Sequence, residues 1–203
     1  MATEVLLRFP GVRALLAAAV VAPLLWAPVT IHAADTRYHG RVIDAESKAP
    51  IQGAVVVVVW LTYPRISMDG VGSFHEAREV LTDATGGFSV DATPRINWNP
   101  FKVVREPPAL VVFKPGYGRY PEIYGTTSWP NLVPIEQIHD AVHDKREVTI
   151  ELPRLEGPTQ IRLFAGPDLH PGVPYARVPV YIGLINEHRR ALGLEPLDPR
   201  QED

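Results

Sequence analysis

Apolar positions along this chain fall into a short leader run, a series of strand-like runs, and a tail of helical period. Tyr38 to Ala45 (YHGRVIDA) alternates, and Gly53 to Tyr63 (GAVVVVVWLTY) is a β-branched row without polar interruption. Alternation predicts a half-buried strand, whereas the valine row predicts a strand buried on both faces. Glu46-Ser47-Lys48-Ala49-Pro50 lies between them as a turn, so the pair reads as a hairpin. Glu79 to Thr82 and Gly87 to Asp91 predict a third and fourth strand around Asp83-Ala84-Thr85-Gly86, where the Asp side chain caps the turn and the Gly takes positive φ. Ala109 to Lys114 predicts a fifth strand, Glu147 to Leu152 a sixth, and Gln160 to Phe164 a seventh.

Two segments repeat at helical spacing instead. Ile135 to Lys145 predicts a short inserted helix carrying Ile135, Ile138 and Val142 on one side. Val180 to Leu194 predicts a C-terminal helix with Ile182, Ile185 and Leu192 near one face and Gly193 as its C-cap. A two-layer sandwich covers only one face of the row from Val55 to Trp60, so this helix is the expected cover for the other.

The leader changes the picture of location. Arg8 and Arg13 precede an uncharged run from Ala14 to Ala27, and Ile31-His32-Ala33 ends in a small residue. Residues 1–33 therefore predict a secretory signal cleaved after Ala33 or Ala34, with an uncleaved anchor as the alternative. The rest divides into a sandwich at 35–157 and an extension with one helix at 158–203. The protein is expected to be exported, periplasmic or extracellular, touching a membrane only through that leader if it is kept. Of the 203 residues 20 are basic and 23 acidic, for a net charge of -3, which argues against a nucleic-acid partner. The absence of cysteine excludes disulfides, thiolate metal sites and thiol nucleophiles. The 21 prolines exceed the 15 glycines, which favours short ordered loops between strands over a helical bundle.

The blocks Gly40-Arg41-Val42-Ile43-Asp44, Pro50-Ile51-Gln52-Gly53-Ala54-Val55-Val56, Thr82-Asp83-Ala84-Thr85-Gly86-Gly87-Phe88 and Val112-Phe113-Lys114-Pro115-Gly116-Tyr117 occur in that order. Together they resemble the carboxypeptidase regulatory-like domain family, over about Tyr38 to Tyr117. The resemblance implies an all-β, seven-stranded prealbumin-like (transthyretin-like) β-sandwich, here with a short inserted helix and a C-terminal helical extension. It further implies a non-catalytic accessory module of exported proteins, in some cases linked to carbohydrate or cell-surface binding.

Candidate chemistry is sparse. The opening, with Trp60, is also similar to intradiol ring-cleaving dioxygenases, but no Arg-x-x-His-x-His run exists; the Tyr-Arg-Gly-Ser ending of hydroxyisourate hydrolases is missing too. His139 and His143, one helical turn apart, could grip a divalent metal only with a third ligand such as His75 or His170. No metal site and no cofactor are expected, and a metal-dependent enzyme is the alternative reading. No Gly-x-Ser-x-Gly elbow occurs. The remaining signal is aromatic: Trp98, Tyr117, Tyr120, Tyr124 and Trp129 fall in proline- and glycine-rich loops, where flat rings either stack on a ligand or anchor the loops to the sandwich. These five are the candidate ligand-binding residues, and the expected partner is a carbohydrate or an envelope protein.

Overall fold

A computed structural model describes residues 37–66, 72–92, 94–105, 107–121, 140–144, 146–198 and 200. Seven strands occur among them: β1 (Arg37–Asp44), β2 (Val55–Pro64), β3 (Ser73–Leu81), β4 (Gly87–Asp91), β5 (Lys102–Val104), β6 (Ala109–Phe113) and β7 (Val148–Leu152). They form two sheets, one ordered β4-β1-β7 and the other built on β2, with β3 along one edge. The other edge of β2 is shared, β6 pairing with residues 55–59 and β5 with residues 62–64. The class is therefore all-β, with two layers and few helices.

The valine row explains the layering. Val56, Val58 and Trp60 face the space between the sheets, where they meet Val42, Ile150 and Leu152. Val55, Val57 and Val59 face the other way and lie in a second cluster with Phe113, Tyr181, Ile182 and Ile185. The last three belong to the C-terminal helix α2 (Pro179–Ala191), which covers the outer face of the strand. Leu192, expected on that face, is only half-buried and lies just past the helix end; Tyr181 takes part in its place. Burying such side chains contributes roughly 1.5–3 kcal/mol each before ordering costs.

Several expectations need correction. β1 and β2 are not a hairpin, because they belong to different sheets. The Asp83 turn closes as expected: its Oδ1 accepts the N–H groups of Thr85 at 2.8 Å and Gly87 at 2.9 Å, and Gly86 has φ 73°. Its arms nevertheless diverge, β3 into one sheet and β4 into the other. The strand expected from Gln160 to Phe164 is instead mostly helix α1 (Gly157–Leu163), since Pro158 suits a first helical turn and no neighbouring strand pairs with the segment. The extension thus holds two α-helices rather than one. β5 was not foreseen, and β3 begins at Ser73, six residues ahead of the expected Glu79. Within the expected inserted helix, residues 140–143 are helical, with Ala141 and Val142 in the inter-sheet core. Ile135, Ile138 and His139 lie outside the described residues.

Candidate functional site

Buried polar groups come first, because a buried charge must be explained by its partners. Asp44, at the end of β1, is buried and accepts the N–H groups of Glu46 at 3.0 Å and Ser47 at 2.9 Å. Arg154 donates Nε to its other oxygen at 2.6 Å. Burial pushes this carboxyl upward, but the hydrogen bonds from Ser47, Arg154 and Glu46 outweigh it and hold the group well below the usual carboxylate range. The guanidinium of Arg154 also stands 5.4 Å from the ring centroid of Tyr117, whose own pKa is pushed up, chiefly by burial. This cluster fastens the turn after β1 to the chain leaving β7.

Arg119 is a second tie. Its Nη2 donates to the carbonyls of Phe164 at 3.1 Å and Gly166 at 2.6 Å. Nη1 makes a charge contact with Asp168 Oδ2 at 2.5 Å, without the alignment of a hydrogen bond. Phe113, Phe164 and Tyr181 surround the guanidinium at 5.6–6.0 Å. Tyr181 donates its hydroxyl to the carbonyl of Pro167, and burial raises the pKa of that hydroxyl. The loop from α1 toward α2 is thereby held on the second core, a structural task.

A third group, Glu79, projects from β3 to the start of α2, where its carboxylate accepts the N–H groups of Val180 at 3.0 Å and Tyr181 at 2.6 Å. Half-burial raises its pKa more than these two bonds lower it. A carboxylate at a helix N-terminus satisfies donors that have no partner within the helix.

The five candidate aromatics do not share one place. Tyr117 and Tyr120 follow β6, near the start of β2, where Tyr120 bridges Val112 and is buried in the inter-sheet core. Trp98 lies at the opposite end, beside the exit of β2, and is 85% exposed. Tyr124 and Trp129 lie outside the described residues. Anchoring of the loop thus accounts for Tyr120 and for much of Tyr117, and leaves Trp98 unexplained. The histidines do not converge as ligands either. His75 Nε2 lies 2.8 Å from the carbonyl of Arg95, His170 Nδ1 lies 2.7 Å from that of Pro171, and His143 is exposed. Among the described residues no three His, Asp or Glu side chains form a ligand set.

The feature that sequence reasoning missed is a groove on the outer face of the second sheet. Val59, Leu61 and Tyr63 form its floor, Arg105 stands at one side, and Pro107 and Pro108 form a wall; it holds about 320 Å³. The Arg105 backbone N–H donates to the carbonyl of Leu61 at 2.9 Å, and its guanidinium sits 5.2 Å from the Tyr63 ring centroid. Tyr63 is held from behind by Gly72, where a Cβ would come within 2.7 Å of the ring. Alternation along β2 places Tyr63 and Leu61 on the outer face, and the Pro-Pro pair was visible too. What hid the groove is that β5, which brings Arg105 beside Tyr63, is only three residues long. A second, more open cleft of about 360 Å³ is lined by His39, Arg41, Asp83, Ser89 and Glu147 among others.

Comparison with family models, with curated proteins and with solved structures finds no match for this chain.

Proposed function

We propose that this chain is a non-catalytic, exported β-sandwich module that binds or scaffolds at the cell envelope, with residues 1–33 acting as its secretory signal. The observation that carries this reading is the groove on β2. It offers an aromatic ring, a proline wall and one cation in an open site of about 320 Å³. Flat apolar surfaces with one polar anchor suit the face of a sugar ring or an extended segment of a protein partner. The prealbumin-like form of the sandwich and membership of the carboxypeptidase regulatory-like family belong to the same proposal. Seven strands in two sheets, with the four sequence blocks in order, support them.

The full chain, expressed in an exporting host, is recovered and tested on a glycan array and by capture from envelope extract. Saturable binding on one of the two is expected, weakened about ten-fold or more by Arg105→Ala at an unchanged melting temperature. Absence of binding on both, or binding indifferent to Arg105→Ala, overturns the groove reading. Intact mass of the exported form tests the leader: a chain starting at Ala34 or Asp35 is expected, and retention of Met1 refutes cleavage.

A further inference from the structure

Beyond the groove, five of the eight exposed large apolar side chains among the described residues belong to segments at one end of the second sheet. Ile66 is 97% exposed, Trp98 85%, Phe101 75% and Ile96 70%, and Val103 is exposed beside them. Backbone pairing brings their segments to the same end of the sheet. β5 pairs with the end of β2, placing Val103 opposite Tyr63, and the Arg65 N–H donates to the carbonyl of Phe101 at 2.9 Å. On the other flank, Arg95 donates its N–H to Glu76 Oε2 at 2.6 Å, which fixes the start of the 94–101 loop against β3. The loop therefore crosses the sheet end from β3 to β5. Asn97 and Asn99 hold it in shape: Asn97 Nδ2 donates to the carbonyl of Lys102 at 2.9 Å, and Asn99 Oδ1 accepts the Phe101 N–H at 3.0 Å.

Basic side chains outnumber acidic ones around this end. The described residues 63–66 and 94–105 contain Arg65, Arg95, Lys102 and Arg105 and no acid, while Glu76 of β3 lies against this end, 3.8 Å from Arg95 Nε and 3.1 Å from Arg78 Nε. Including the sequence neighbours Asp69 and Glu106, residues 63–71 and 94–106 hold four basic and two acidic side chains, in a chain whose net charge is -3. Exposed Trp, Phe and Ile on a short, tied loop, rimmed by cations, match the interface of a bilayer with anionic headgroups: apolar and aromatic tips enter the headgroup boundary while cations meet lipid phosphates. A second copy of the chain would instead bring like charges together.

We infer that this end of the sandwich is a membrane-contact surface that docks reversibly on an anionic bilayer through Ile66, Ile96, Trp98 and Phe101. The inference does not depend on what the groove binds. Docking at the bilayer would leave the cover of α2, on the outer face of residues 55–59, undisturbed.

Because the chain has no cysteine, a single introduced one can be labelled uniquely. Phe101→Cys, carrying an environment-sensitive fluorophore, is prepared in the full chain, with Leu163→Cys on α1 as the control. Leu163 is 53% exposed, and α1 lies by the end of α2 that faces the start of β2. The control matters because the leader could bring the whole chain to a vesicle. The expected result is a blue shift of the label at 101 with phosphatidylcholine vesicles containing phosphatidylglycerol, and little shift with phosphatidylcholine alone. The label at 163 should not shift. Arg65→Gln and Lys102→Gln should each weaken binding about five-fold, and Trp98→Ser with Ile96→Ser should abolish the shift at unchanged melting temperature.

A label at 101 that stays in water, equal shifts at 101 and 163, or equal shifts with both vesicle types overturns the inference. So does a shift that follows protein concentration without vesicles, which would assign the surface to a second copy. Glycan or envelope-protein binding blocked by Trp98→Ser, without any lipid response, would also overturn it while leaving the proposed function standing.

Discussion

Gly86 and Gly116 both have positive φ, 73° and 85°, yet they should respond differently to a side chain. A Cβ on residue 86 would stand 2.4 Å from the carbonyl oxygen of Val42, the atom that also accepts the Ile51 N–H. Around Gly116 nothing lies within 4 Å. Backbone strain in the left-handed region costs about 1–2 kcal/mol at either site, but only Gly86→Ala must also displace β1. Thermal denaturation of both variants should therefore give a clearly larger loss for Gly86→Ala, and equal losses would mean that the turn sits away from β1. The positive φ of Gly86 was legible because an Asp-x-x-Gly turn between apolar runs demands it. The clash was not, because it depends on a neighbouring strand. Asp44 teaches the same lesson. It stands in one of the recognisable sequence blocks, but nothing local announces that Arg154 would be its partner, across 110 residues.

At the scale of elements, the strands of β-branched and alternating residues were legible, and their partners were not. Two tight turns looked like hairpins, yet each carries the chain from one sheet to the other, a choice made by packing. β5 has three residues and too little pattern to read, and with it the groove and the apolar end stayed hidden. Whole-chain charge gave no hint of the basic end, since counting over 203 residues averages out a local excess of Arg and Lys. The contact between β3 and α2 carries a pH prediction. Glu79 has a folded pKa above its ordinary value of 4.5, so the contribution it makes to stability is fully present below pH 4.5 and is lost as pH rises through the folded value. Compared with Glu79→Gln in thermal melts across this range, the wild type should lose ground as pH increases. If it gains ground instead, capping of the Val180 and Tyr181 N–H groups outweighs burial of the carboxylate.

For the molecule as a whole, the second core rests on the segment beyond Gly172. Cutting the chain after Gly172 removes Tyr181, Ile182 and Ile185 and uncovers Val55, Val57, Val59 and Phe113. Lower melting temperature and concentration-dependent self-association are expected, measured by thermal denaturation and sedimentation, because an apolar face of that kind offers itself to a second copy. A truncated chain that stays monomeric and equally stable would assign the cover to another segment.

The parallel pairing of β1 with β7 sets Gly40 beside Val148, and the Glu79 contact reaches Val180. Strands and helices so far apart in sequence cannot meet until the chain has been made as far as α2, so closure of this fold waits on contacts of long sequence separation. Until α2 has been made, the valine row is available to other chains, because the segment that shields its outer face follows it by more than a hundred residues. Timing, as much as affinity, then bears on whether the protein reaches its folded form: whatever delays Pro179–Ala191 lengthens the interval in which the row is open to aggregation.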